Sequence, residues 1–166
     1  LVLMLLGAIA SLAIGRVWLA PSVLIKGALA PHPTIAGLIL LDLRLPRTLL
    51  GALVGATLGL SGAVLQGLLR NPLAEPGLLG VSAGAALGAV IAIYFGLSAP
   101  FPLAAPLLGI AGALVAGALT FAVGRGGTLT LILAGAAVSG LAAAGLSLAL
   151  NFAPNPYAEY EITTWL

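Results

Sequence analysis

Side chains able to do chemistry are scarce here: six basic, four acidic and one histidine in 166 residues, with no cysteine. Without cysteine the chain has no disulfide, no thiolate metal ligand and no sulfur nucleophile. His32 stands alone between Pro31 and Pro33, whereas a metal site needs several converging donors. It reads as a loop histidine, and neither a metal site nor a cofactor is expected. An intramembrane enzyme would need ionisable or nucleophilic groups inside the bilayer, where they are costly enough to announce a function. The long apolar runs hold none, and their serines and threonines have no histidine, lysine or aspartate beside them at helical spacing. No catalytic residue is assigned, and the chain does not read as an enzyme.

Two stretches gather the remaining polar side chains. In the first, Leu43-Arg44-Leu45-Pro46-Arg47-Thr48, Pro46 suits the first turn of a helix and marks its start. Arg44 and Arg47 would then flank a helix N-terminus, where the macrodipole disfavours cations by roughly 0.3–1 kcal/mol. Something else must want them there: snorkelling to lipid phosphates, or docking of an acidic partner. The residues alone leave both open. The second stretch runs from Gln66 through Arg70-Asn71-Pro72-Leu73-Ala74-Glu75-Pro76-Gly77 to Ala85. Asn71 before Pro72 reads as an N-cap with an N1 proline, starting a new helical turn. Pro76-Gly77 then breaks that turn and launches the next helix.

The elements that position these stretches follow from composition and length. The chain is 61% hydrophobic and 6% charged, against roughly 25% charged in a soluble domain, so it reads as an all-α, polytopic membrane protein. Nucleic-acid binding has no support, since no basic cluster exists. Crossing a bilayer takes roughly 20 apolar residues. Counting runs against that length gives about five spans, at 1–19, 47–69, 77–97, 103–123 and 128–152, in one transmembrane domain covering 1–166. Pro100, Pro102 and Pro106 divide the third from the fourth, and Arg125-Gly126-Gly127 the fourth from the fifth. A long polar connection with Lys26, His32 and Asp42 occupies 20–46. A signal peptide is the rival reading of the first run, because Ala8-Ile9-Ala10 imitates a cleavage site, but no basic n-region is visible and four more spans follow. The chain opens on Leu1 inside an apolar run and stops at Trp165-Leu166, as a fragment of a longer protein would. Rows of small residues recur at four-residue spacing: Gly51, Gly55, Gly59; Gly80, Gly84, Gly88; and Gly109, Ala113, Gly117. Such rows let helices approach closely, and two of the three are expected to make contacts. Basic residues favour a cytoplasmic first connection, because Arg16, Lys26, Arg44 and Arg47 lie there.

Residues 43 to 88, from LRLPRT through QGLLRNPLAEPGLLGVSAGA, resemble the signature of the FecCD family. These are the membrane subunits of type II ABC importers, which take up iron-siderophores, haem and cobalamin in bacteria and archaea. The resemblance implies a ten-helix permease in the cell (inner) membrane, of which this chain would hold helices one to five. It implies a homodimer, or a pair of like subunits, with two cytoplasmic ATP-binding subunits that hydrolyse ATP and an extracytoplasmic substrate-binding protein. The coupling helices would lie in the missing second half, so the chain by itself should not engage the ATPase. The resemblance also implies a cytoplasmic N-terminus and an extracytoplasmic 20–46 connection, against the count of basic residues. Arg44 and Arg47 would pair with glutamates of the binding protein. Arg70, Asn71, Pro72 and Glu75 would form a cytoplasmic turn. Thr128 would lie near a cytoplasmic gate, and Thr130 and Ser139 on the wall of the path. A cavity lined with glycine, alanine and leucine fits a large chelate and holds few groups to read its identity. An ATP-independent transporter or channel is the alternative, but no buried carboxylate for ion coupling is present. The shared premise has a simple check: the expressed chain should sediment with membranes and need detergent, and a freely soluble monomer would overturn the reading.

Overall fold

The computed structural model describes residues 2–15, 18–32 and 34–166. Arg16, counted among the basic residues of the first connection, and Pro33, beside His32, lie outside the described residues. The described residues are helical, in two compact units whose boundary falls at Leu60/Ser61.

In the first unit, α1 spans Val2–Ala13 and α2 Pro21–Ala28. Pro21 occupies the first turn of α2, where its missing N–H costs nothing, and Leu24 is buried at 2% exposure. The connection that reads as polar is therefore folded. Thr34 caps the next helix: its Oγ1 accepts from the Gly37 N–H at 3.1 Å and donates to the Gly27 carbonyl at 3.0 Å. Helix α3 (Ile35–Leu38) then passes without a break into a π-helical turn, Ile39–Arg44, and on into α4, Leu45–Leu69.

Pro46, which by local rules should begin this helix, does not. The helical run starts at Ile35 and continues for 35 residues to Leu69. A proline inside a helix normally clashes with the carbonyl four residues back and removes one hydrogen bond. Here that carbonyl belongs to Asp42, inside the wider π turn, where bonds reach back five residues, as from the Leu45 N–H to the Leu40 carbonyl. The π turn gives the ring room, so the helix runs on. Beyond it α4 is exposed from Leu49 to Leu60, and β-carbons at Gly51, Gly55 or Gly59 would meet nothing within 4 Å.

The second unit is built on close helix crossings. Helix α5 (Val81–Tyr94) packs on α6 (Ala104–Val123) and α7 (Thr128–Asn151), and the short α8 (Pro156–Trp165) lies against α5. At the α5–α6 crossing a β-carbon on Gly84 would run into Ala116 and the Gly112 carbonyl, and one on Gly88 into the Leu108 carbonyl. The partner of the Gly84/Gly88 row is thus Gly112, one residue off the Gly109/Ala113/Gly117 row. Gly109 and Gly117 sit beside it, at ordinary contact with Ala89 and Val81. Above the crossing Ala89, Val90, Ala92 and Ile93 meet Ala104, Ala105 and Ile162 in one apolar cluster. The Tyr94 hydroxyl donates to the Phe152 carbonyl at 2.8 Å, joining the ends of α5 and α7. Helix α5 is shorter than the 77–97 expectation because Gly80, at φ 72°, and Gly96, at φ 66°, bend the chain at either end.

Among the described residues three helices are long and apolar enough to cross a bilayer, Ile35–Leu69, Ala104–Val123 and Thr128–Asn151, and Val2–Ala13 and Val81–Tyr94 are shorter apolar helices. Because α5 and α6 touch backbone to backbone, Gly88→Val and Gly112→Val should each lower stability by about 1–3 kcal/mol through overpacking. Gly55→Ala, facing open space in this chain, should stay within about 0.5 kcal/mol. Thermal unfolding in detergent reads the difference, and equal effects at Gly55 and Gly88 would refute the crossing.

Candidate functional site

Two places gather the residues singled out by sequence. The first is the junction of α1 with the π turn. Arg44 is only 8% exposed, and its Nη1 donates to the Leu12 and Ala13 carbonyls, both at 2.9 Å. These belong to the last turn of α1, whose final carbonyls lack intrahelical partners and carry the negative end of the macrodipole. Arg44 therefore sits where a cation is favoured. The expectation that both arginines flank a helix N-terminus is corrected here, because that N-terminus lies at Ile35, well before them. The fit is close: a β-carbon at Gly15 would lie 2.8 Å from Arg44 Nη2. One turn on, Ser11 and Thr48 share a hydroxyl hydrogen bond of 2.8 Å, a second tie between α1 and α4.

Arg47 is exposed. Together with Arg44 it lines a cleft of about 590 Å³ whose walls include Ala10, Ile14, Ile39 and Leu43. Among the described residues Arg47 makes no hydrogen bond or ion pair. The π turn sets the two guanidinium groups in contrasting surroundings, one spent on backbone carbonyls and the other offered to solvent. His32 is exposed on its loop.

The second place is the turn after α4. Arg70 has φ 47°, in the left-handed region, and the Asn71 N–H bonds back to the Gln66 carbonyl at 3.2 Å. This is the αL ending of a helix in which glycine usually occupies the Arg70 position. Asn71 does not cap a new helical turn, as its place before Pro72 suggests. Instead its Oδ1 accepts from the Leu73 N–H at 3.0 Å, and its own carbonyl accepts from Ala74 at 3.1 Å. The result is an Asx-type turn, with Pro72 exposed on its outside and Ala74 buried at 2%. The next helical piece is the 3₁₀ turn Pro76–Leu79, after exposed Glu75.

That 3₁₀ turn is held from two sides. Thr120 of α6, fully buried, donates to the Leu79 carbonyl at 2.8 Å. Gly135 of α7 lets the Leu78 carbonyl approach so closely that a β-carbon would collide with it. Ser139 is half-buried, its Oγ 3.2 Å from where a Gly80 β-carbon would be. Thr128 and Thr130 are exposed at the start of α7, so Ser139 alone of the three packs against the turn. Thr120 and Gly135 escaped the sequence reading. Thr120 left a signal, as the one hydroxyl in the α6 sequence, whereas Gly135 is one glycine among 23.

In the same unit an apolar cleft of about 390 Å³ opens between α5, α6 and α7, with Leu87, Ile91, Val115 and Leu141 on its walls.

Comparison with known proteins agrees across nearly the whole length. The chain is 42% identical over 152 residues to the vitamin B12 import system permease protein BtuC of Salmonella paratyphi A, covering 90% of this chain and 44% of that protein. It is 47% identical over 113 residues to the cobalamin import system permease protein BtuC of Halobacterium salinarum, covering 66% of this chain and 30% of that one. A solved structure described as an ABC transporter of metal-chelate type, in an inward-facing conformation, superposes with a TM-score of 0.78 at 34% identity, over 99% of this chain and half of its own. The chain thus spans about half the length of the relatives it matches. With the FecCD transport family profile matching residues 3–166, and the LRLPRT and RNPLAEPG stretches folded as described, the chain belongs to the FecCD transport family.

Proposed function

We propose that this chain is the first half of the membrane-spanning permease subunit of an ATP-driven importer, and that the complete protein brings a metal chelate such as cobalamin, haem or an iron-siderophore into the cell. The likeness to vitamin B12 import permeases carries this reading. The complete permease pairs with a second permease subunit, cytoplasmic ATP-binding subunits and an extracytoplasmic binding protein. ATP hydrolysis belongs to the ATP-binding subunits, so the permease is not itself an enzyme.

The residues of this chain suit that role. Apolar helices packed through glycine and alanine present smooth, weakly interacting walls, which suit a bulky chelate that must enter and leave. The cleft between α5, α6 and α7 is of that character, and Thr128, Thr130 and Ser139 are the polar positions along α7 proposed for the gate and path. Arg44 and Arg47 belong to the outer face, where the binding protein docks, and the Arg70–Glu75 turn to the cytoplasmic face. In this orientation the N-terminus is cytoplasmic. The chain lies in the cell membrane, the inner one where there are two.

Reconstitution tests the reading. Vesicles holding the complete permease and its ATP-binding subunits should accumulate cyanocobalamin, or a ferric siderophore, only with binding protein outside and ATP inside. Uptake that proceeds without ATP would replace this reading by the ATP-independent one.

A further inference from the structure

We propose that α2 is an interfacial helix. Its free face, Ile25 and Leu29 with Lys26 beside them, lies in the lipid headgroup layer of the leaflet where α1 ends, and holds this end of the permease at the membrane surface. The proposal needs residues 35–69 to cross the bilayer and needs no part of the transport reading, so the two are tested separately.

The level of α2 follows from the helix that carries it. The Ile35–Leu69 run, rising 1.5 Å per residue, is about 52 Å long, against roughly 30 Å of hydrocarbon and about 40–45 Å with both headgroup layers. Its charge-free part is Thr48–Leu69, so the turns from Ile35 to Arg47 stand beyond the hydrocarbon. Helix α2 is fixed to those turns. Thr34 donates to the Gly27 carbonyl while capping α3, and a β-carbon on Gly27 or Gly37 would run into the backbone of the other. Leu24 and Gly27 thus lie on the covered face of α2. The opposite face holds Ile25 and Leu29, one turn apart and 56% and 80% exposed, with exposed Ser22 and Lys26 beside them.

The chemistry of that face selects its surroundings. Trp18, 74% exposed, stands between the end of α1 and the start of α2, and an indole at the end of an apolar span suits the boundary between lipid and water. Residues 18–34 hold Lys26 and no acid, so their charge complements lipid phosphate. A lysine stem covers apolar surface while its ammonium reaches that phosphate. In sequence order the exposed apolar side chains of α1, then Ile14 and Trp18, lead from the span to α2 without an acidic residue. Water is a poor surround for Ile25, Leu29 and Trp18, and hydrocarbon for Lys26. The layer between suits all four.

Depth measurements on the complete permease, cysteine-free and in phosphatidylcholine–phosphatidylglycerol nanodiscs, test this. Spin labels at Ile25→Cys, Leu29→Cys and Lys26→Cys report collisions with oxygen, which concentrates in lipid, and with a nickel chelate, which stays in water. The labels at 25 and 29 should collide severalfold more with oxygen than with the chelate, at a depth of about 5–10 Å into the boundary layer. The label at 26 should read shallower. A bimane fluorophore at Leu29→Cys reads the same depth independently: lipid brominated near the headgroup should quench it severalfold more than lipid brominated near the chain end. Labels at 25 and 29 that favour the chelate place the face in water and overturn the proposal. Labels screened from both probes, or immobilised when the binding protein is added, place it under protein and overturn it equally. Uptake that needs no ATP would sink the transport reading and leave these depths as they are.

Discussion

Inside a hydrocarbon layer there is no water to satisfy a stray N–H or carbonyl, and no hydrophobic force to drive one apolar helix against another. Everything in this chain bends to that pair of facts. Backbone groups are paired within helices, and at three ends loose carbonyls find a side-chain donor: Leu12 and Ala13 from Arg44, Leu79 from Thr120, Phe152 from Tyr94. Contact between helices must then come from a few polar ties and from dispersion, which falls steeply with separation. Hence the α5–α6 crossing, where Gly84, Gly88 and Gly112 leave nothing between the two backbones.

The polar side chains of this protein are best understood as fasteners at the ends of apolar rods. Thr120 and Gly135 hold the 3₁₀ turn from opposite sides, one by a hydrogen bond and one by having no side chain. The turn carries the chain from α4 into α5 through Gly80, whose positive φ would strain other residues. Arg70, also at positive φ but not glycine, bears a conformational cost of roughly 1 kcal/mol.

Much of this was legible beforehand because it depends on one-dimensional quantities. Charge-free run lengths and paired prolines locate α6 and α7 almost to the residue, and the two polar stretches carry the family resemblance that the comparisons confirm. What escaped depends on registry between segments far apart in sequence. Pro46 reads as a helix start under local rules, and only the π turn before it, together with the Thr34 cap, reveals that the helix began at Ile35. Asn71 has two common uses, helix cap and Asx turn, and only the folded chain, where a turn and not a helix follows it, decides between them. The Gly84/Gly88 row was visible, but its partner Gly112 was not, since glycine and alanine abound in α6 and only the crossing selects one face. Arg44 and Arg47 look alike in the sequence. Their difference arises from where α1 ends, a tertiary fact.

The π turn also fixes an angular phase. In a regular α-helix each residue advances about 100° around the axis, so one residue more or fewer in Ile39–Arg44 would rotate everything downstream by about that angle with respect to α3. The face of α4 that meets α1 is thereby set by the count of residues in a single wide turn. Chain length between Ile35 and Arg44 is a rotational setting, and an insertion or deletion there would turn the arginine pair away from α1 even with every side chain preserved.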